Sequence, residues 1–161
     1  YFEKAKDRII ASRNILREYA LKNNYDYFFS LEQDVIPEPN VIEKLLQAKQ
    51  KIISGVVYNN LPVGPVVRLM PMIYVEHPRD PTGLWYIGED ELKKPQVKEI
   101  KACGLGCVMI HCEVLEKTQF RYAGGFDDMM FCKDAIESGY KIYVDTTVKP
   151  KHLHSSWEGI V

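Results

Sequence analysis

Three groups of residues have the types and spacing to do chemistry. Glu32-Gln33-Asp34 follows the apolar run Tyr25 to Leu31. Acids spaced i, i+2 at a strand's carboxyl end are expected to point the same way. They stand where open α/β sheets place ligands. Two hard oxygen donors there suit Mg²⁺ or Mn²⁺ that also takes phosphate oxygens, although acids after a strand are also ordinary loop residues. Asp127-Asp128 open a helix behind Gly124-Gly125-Phe126. Capping explains one aspartate, at about 0.5–2 kcal/mol. It leaves the other to face a cleft, where a carboxylate can act as general base toward a hydroxyl. His152 and His154, i, i+2 on a strand, project to one face, and neutral imidazoles there are metal ligands or plain surface decoration. Gly104-Leu105-Gly106 lacks the third glycine and downstream acid of a dinucleotide fingerprint, which sets NAD binding aside.

The elements that must position these groups follow from periodicity. Residues 2 to 22 read as an amphipathic helix in which Phe2, Ala5, Ile9, Leu16 and Ala20 share one sector at about 100° per residue. Arg13 falls in that sector and needs a partner, either a structural ion pair or a phosphate or carboxylate ligand. The run 25–31 reads as a buried strand, 41–48 as a helix capped by Asn40, and 51–57 as a second strand. That rhythm predicts a layered α/β fold with a mostly parallel sheet. Residues 58–98 hold six of the nine prolines and read as an insertion shaping a pocket. Within it, 66–75 is an expected edge strand and 83–86 an expected hairpin tip. Trp85, Tyr86 and Trp157 are candidates to stack on sugar rings, or else packing residues. Order returns with a strand from Val97 to Cys103, an apolar run 107–110, a short helix 113–117, the helix from Asp127 to about Glu137, and strands at 140–144 and 148–154.

Composition bounds the function. The chain has 161 residues with 21 basic and 22 acidic side chains, so it offers no basic field for a nucleic-acid backbone. No run approaches the roughly 18 apolar residues of a membrane span, and no signal-peptide pattern is present. One domain over 1–161 is expected. Four irregularly spaced cysteines do not make a disulfide scaffold or a zinc site; a reducing, cytoplasmic compartment is the default reading.

In their order along the chain these motifs resemble the GT-A glycosyltransferases, above all the inverting family 2 type. The matching stretches are 11–14, 25–35, 104–110, 126–132, 139–145 and 148–152. The resemblance implies a three-layer α/β/α sandwich and sugar transfer with inversion from a nucleoside-diphosphate sugar to a saccharide, lipid-linked or protein hydroxyl. Glu32 and Asp34 would hold Mn²⁺ or Mg²⁺, with His152 or His154 completing the metal site. Arg13 would lie near the nucleotide, and Gly104 and Gly106 would line the substrate site. Asp128 would be the base, and Asp127 would orient the acceptor. Two departures stand out: Glu32 replaces an aspartate, and the family's first strand is expected before Tyr1. They leave room for a non-catalytic saccharide- or partner-binding module, or for a Mg²⁺-dependent nucleotidyltransferase whose phosphate loop would lie upstream.

Overall fold

Strong β-formers from distant stretches gather into one sheet. The computed structural model describes residues 2–153, with side chains from Ala5 onward. Among them lie helices α1 (Phe2–Lys22), α2 (Val41–Gln47), α3 (Glu89–Leu92), α4 (Cys112–Lys117) and α5 (Asp127–Glu137). The strands are β1 (Tyr27–Leu31), β2 (Val35–Ile36), β3 (Ile52–Ser54), β4 (Tyr58–Val63), β5 (Val66–Pro71) and β6 (Ile73–His77). They continue with β7 (Asp80–Tyr86), β8 (Val97–Ile100), β9 (Ala102–Cys103), β10 (Cys107–His111), β11 (Ile142–Asp145) and β12 (Lys151–His152).

Side chains alternate across the five-stranded sheet β1-β10-β3-β11-β8 and build a core on each face. Phe28, Ile52, Val108, Ile110, Ile142 and Val144 pack with Ala20 of α1, Val114 and Leu115 of α4, and Phe131 and Ala135 of α5. On the opposite face Tyr27, Phe29, Ile53, Cys107, Met109 and Tyr143 pack with Val41 and Leu45 of α2. Each fully buried Ile, Leu or Phe contributes about 1.5–3 kcal/mol.

The expected three-layer sandwich around a mostly parallel sheet is not what forms. β1 with β10, β10 with β3, and β11 with β8 are antiparallel, and β11 with β3 is the single parallel pair of this sheet. The reason is β10. It arrives from a glycine turn after β9, not through a helical crossover, and inserts in reverse between β1 and β3. Three small antiparallel sheets stand beside this one: β12-β2, β4-β5 and β7-β6-β9.

The middle segment also departs from expectation. The predicted edge strand 66–75 breaks at Met72, whose N–H donates to the Val57 carbonyl and whose own carbonyl accepts from the Gly104 N–H. That cross-link passes the chain from the β4-β5 hairpin into a second sheet. Residues 83–86 lie inside β7, and the turn sits instead at Pro78-Arg79.

In α1 the expected apolar stripe is not buried along its length. Ala20 is buried, whereas Ile9 and Leu16 are about half exposed. Polar contacts anchor the helix instead. Asn14 exchanges two hydrogen bonds with the Phe120 backbone, and Arg17 Nε donates to the Leu115 and Thr118 carbonyls. All four cysteines are buried and unpaired in disulfides. Cys103 and Cys132 tie β9 to α5 through N–H···S and S–H···O contacts of 3.5 and 3.6 Å. No helix among the described residues is long and apolar enough to cross a membrane.

Candidate functional site

The Gly104-Leu105-Gly106 turn joins β9 of the three-stranded sheet to β10 of the five-stranded one. Its backbone floors a cavity of about 390 Å³ at that joint. Close approach is the reason for glycine. A Cβ on Gly106 would lie 3.1 Å from Glu32 Oε2, and one on Gly104 would lie 3.2 Å from Met72 Cβ and 3.9 Å from Asp128 Oδ2. The turn is therefore a floor between two carboxylates. Leu105 is buried, and its carbonyl accepts from Ser30 Oγ at 2.7 Å.

Asp128 sits in the first turn of α5, where the helix's partial positive charge favours acids. The cap residue is Phe126, with no side-chain bond, so neither aspartate is the cap. Asp128 Oδ1 accepts from the Met129 N–H at 2.7 Å, while Oδ2 is the oxygen nearest Gly104. Burial is the main force on this carboxyl and lifts its pKa from 3.8 to about 6. The Met129 bond opposes that rise. Asp127 and Glu32 add to it, and Arg13 offsets part of it. Tyr74 and Tyr86, with ring centroids 4.9 Å apart, form the wall opposite. Burial keeps the Tyr74 phenol protonated far above its ordinary range, and Tyr86 and Asp128 reinforce this.

Arg13 resolves into a structural clamp. Its NH1 donates to Ser30 Oγ at 3.0 Å and its NH2 to Glu32 Oε1 at 2.9 Å. Its Nε meets Asp127 Oδ2 at 2.9 Å, an ion pair without the alignment of a hydrogen bond. Asp127 is thus held against α1 and does not face the cavity beside Asp128.

Glu32 and Asp34 diverge. A turn closed by the Val35 N–H on the Glu32 carbonyl replaces the extended backbone that would have aimed both acids one way. Glu32 turns to Arg13 and the cavity, while Asp34 Oδ2 meets His152 Nε2 at 3.2 Å. His152 Nδ1 lies 2.8 Å from the Tyr58 carbonyl, which can only accept, so Nδ1 carries a proton. The β12-β2 pairing holds this histidine in place. Among the described residues no three His, Cys, Asp or Glu side chains converge as a metal site. The expected Glu32-Asp34-His152 set is therefore not assembled, and His154 lies outside the described residues. A second cavity, about 500 Å³, lies on the α1 side of the acid loop, lined by Arg8, Ser12, Arg13 and Asp34.

Reasoning from the sequence missed Asn59, Met72 and Tyr74, which line the main cavity. The proline-rich composition of 58–98 marked the segment without naming them. Of the aromatic candidates Tyr86 lines the cavity, Trp85 packs edge-on against His77, and Trp157 lies outside the described residues.

No protein-family model matches the chain, and no curated protein matches it. Solved structures do match in shape. A197 from STIV, a viral protein, superposes with a TM-score of 0.57 at 19% identity, over 89% of this chain and 66% of that one. The chain thus spans slightly under two thirds of that relative, and the likeness concerns the fold alone. The GT-A resemblance read from the motifs is corrected accordingly. The central sheet is mixed, and among the described residues the motif acids form no metal cluster.

Proposed function

We propose that the main cavity is a transfer site in which Asp128 is the general base, and that the group moved is a sugar from a nucleoside diphosphate. The observation that carries the reading is the Asp128 carboxyl, poised near 6 in a cavity of ligand size. It is about half ionised at pH 6 and almost fully so at pH 7.5. An acceptor hydroxyl beside Oδ2 gives its proton to that oxygen as its own oxygen bonds to the anomeric carbon. The carbon–phosphate-oxygen bond breaks on the far side, and the nucleoside diphosphate leaves with the electron pair, which inverts the centre. Tyr74, Tyr86 and Asn59 supply the stacking faces and amide that sugars bind. Asp34 and His152 are the oxygen and nitrogen donors that would hold a divalent cation, and the proton fixed on Nδ1 aims Nε2 at that seat. Such a cation would offset charge on the departing diphosphate.

Release of nucleoside diphosphate from uridine and guanosine diphosphate sugars, with Mn²⁺ present, tests this reading. Asp128→Asn should lower turnover by about 10²–10⁴. Equal turnover in the variant removes Asp128 as base. A second reading, a saccharide-binding module without turnover, is favoured by the engagement of both Glu32 and Asp127 with Arg13. It predicts calorimetric saccharide binding with no donor hydrolysis.

A further inference from the structure

The β4-β5 hairpin carries apolar side chains where water should be. Asn59 and Leu61, near its base, line the main cavity, and its outer half projects into solvent. Val67 is 69% exposed, Leu69 54% and Val66 48%, with Val63 close behind. Gly64, at φ +61°, followed by Pro65 makes a tight two-residue turn that keeps the tip narrow.

Two observations say what this tip meets. First, its apolar residues lie on both faces. Opposed residues share a face, so Val63 and Val66 project to one side and Pro62 and Val67 to the other, with Leu69 beside the second pair. A folded protein partner covers one face of a hairpin; a lipid interface surrounds it. Second, the hairpin from Tyr58 to Pro71 holds no acid and carries the exposed cation Arg68, whereas Lys44 and Lys51 before it are held by Glu38 and Glu113. Apolar residues with a guanidinium beside them match acyl boundary and phosphate headgroup together.

We infer that the β4-β5 hairpin docks this chain onto an anionic lipid surface and so places the cavity mouth at the membrane. About three residues per strand, some 10 Å, project far enough to seat the tip in the headgroup region. The inference does not depend on the transfer chemistry. If that chemistry holds as well, an acceptor carried on a lipid would meet Asp128 without leaving the bilayer.

Sedimentation of the full chain with phosphatidylcholine vesicles containing phosphatidylglycerol, and with phosphatidylcholine alone, tests it. Wild type should partition to the mixed vesicles, more weakly at high salt. Val67→Asp combined with Leu69→Asp should lower partitioning by about tenfold or more. Arg68→Glu should remove the preference for phosphatidylglycerol. Val66→Trp, which leaves the strand pairing untouched, should show blue-shifted emission on vesicle addition. Absent partitioning by wild type, or partitioning unchanged in the double variant, overturns the inference. So does a concentration-dependent dimer that the double variant abolishes while vesicles are ignored, which would assign the patch to a second copy. Donor hydrolysis with a water-soluble acceptor is measured separately, so loss of one result leaves the other standing.

Discussion

Asp127 and Asp128 are neighbours in one helical turn, yet they belong to two different regions. On the α1 side, Arg13 gathers Ser30, Glu32 and Asp127 around one guanidinium. On the hairpin side, Asp128 forms no ion pair among the described residues, and burial lifts its pKa to about 6. The first region consumes its charges in holding α1, β1 and α5 together. The second leaves a charge unspent. One residue's difference in helical angle decides which carboxylate is tied to Arg13 and which is left in the cavity with a raised pKa, the pattern in which paired acids diverge through their surroundings.

Removing Arg13 should break the comparison most severely. Arg13→Ala leaves Glu32 and Asp127 without their counter-charge, and should cost roughly 2–4 kcal/mol in denaturant unfolding. It should also move the acid limb of any Asp128-dependent rate to higher pH, because Arg13 lowers that pKa. A variant as stable as wild type would show that the clamp is not structural.

Asp128→Asn sharpens the contrast in the opposite direction. The folded carboxyl titrates near 6 and the unfolded one near 3.8, so folding favours the protonated form. That contribution is complete below about pH 3.8 and is lost as pH rises through 6. At pH 8 the asparagine variant should therefore be more stable than wild type by about 3 kcal/mol. The gap should close near pH 4. Thermal unfolding across that range reads both the sign and the window.

The smallest effect is steric. Gly106→Ala puts a methyl group 3.1 Å from the tip of Glu32, which can swing aside, so the cost should be near 1 kcal/mol. A much larger loss would mean that Glu32 is held rigidly in the cavity wall.

What could be read from the sequence, and what could not, divides along local and non-local lines. The long α1, the α5 start at Asp127 and the β1 and β10 apolar runs were legible because helix and strand periods are local properties. Direction was not legible. Whether β10 runs with or against β1 depends on where its connection crosses, and nothing within Cys107 to His111 encodes that. The acid loop fails for a related reason. The i, i+2 rule holds in extended chain, and the Glu32–Val35 turn removes the extension. Arg13 is the instructive intermediate. Its place on an apolar sector announced a buried cation, while the choice between ion pair and ligand needed Asp127, more than a hundred residues away, to be placed beside it.

β12 is two residues long and pairs with the equally short β2, yet it carries His152 to Asp34. Ladders this small, at the margin of a domain, sit at the low end of local opening free energies, far below the strands of a central sheet. His152 can therefore peel away from Asp34 and return while the five-stranded sheet, Asp128 and the Arg13 cluster stay folded. Anything that bound both side chains at once would raise the local order of this ladder as it bound.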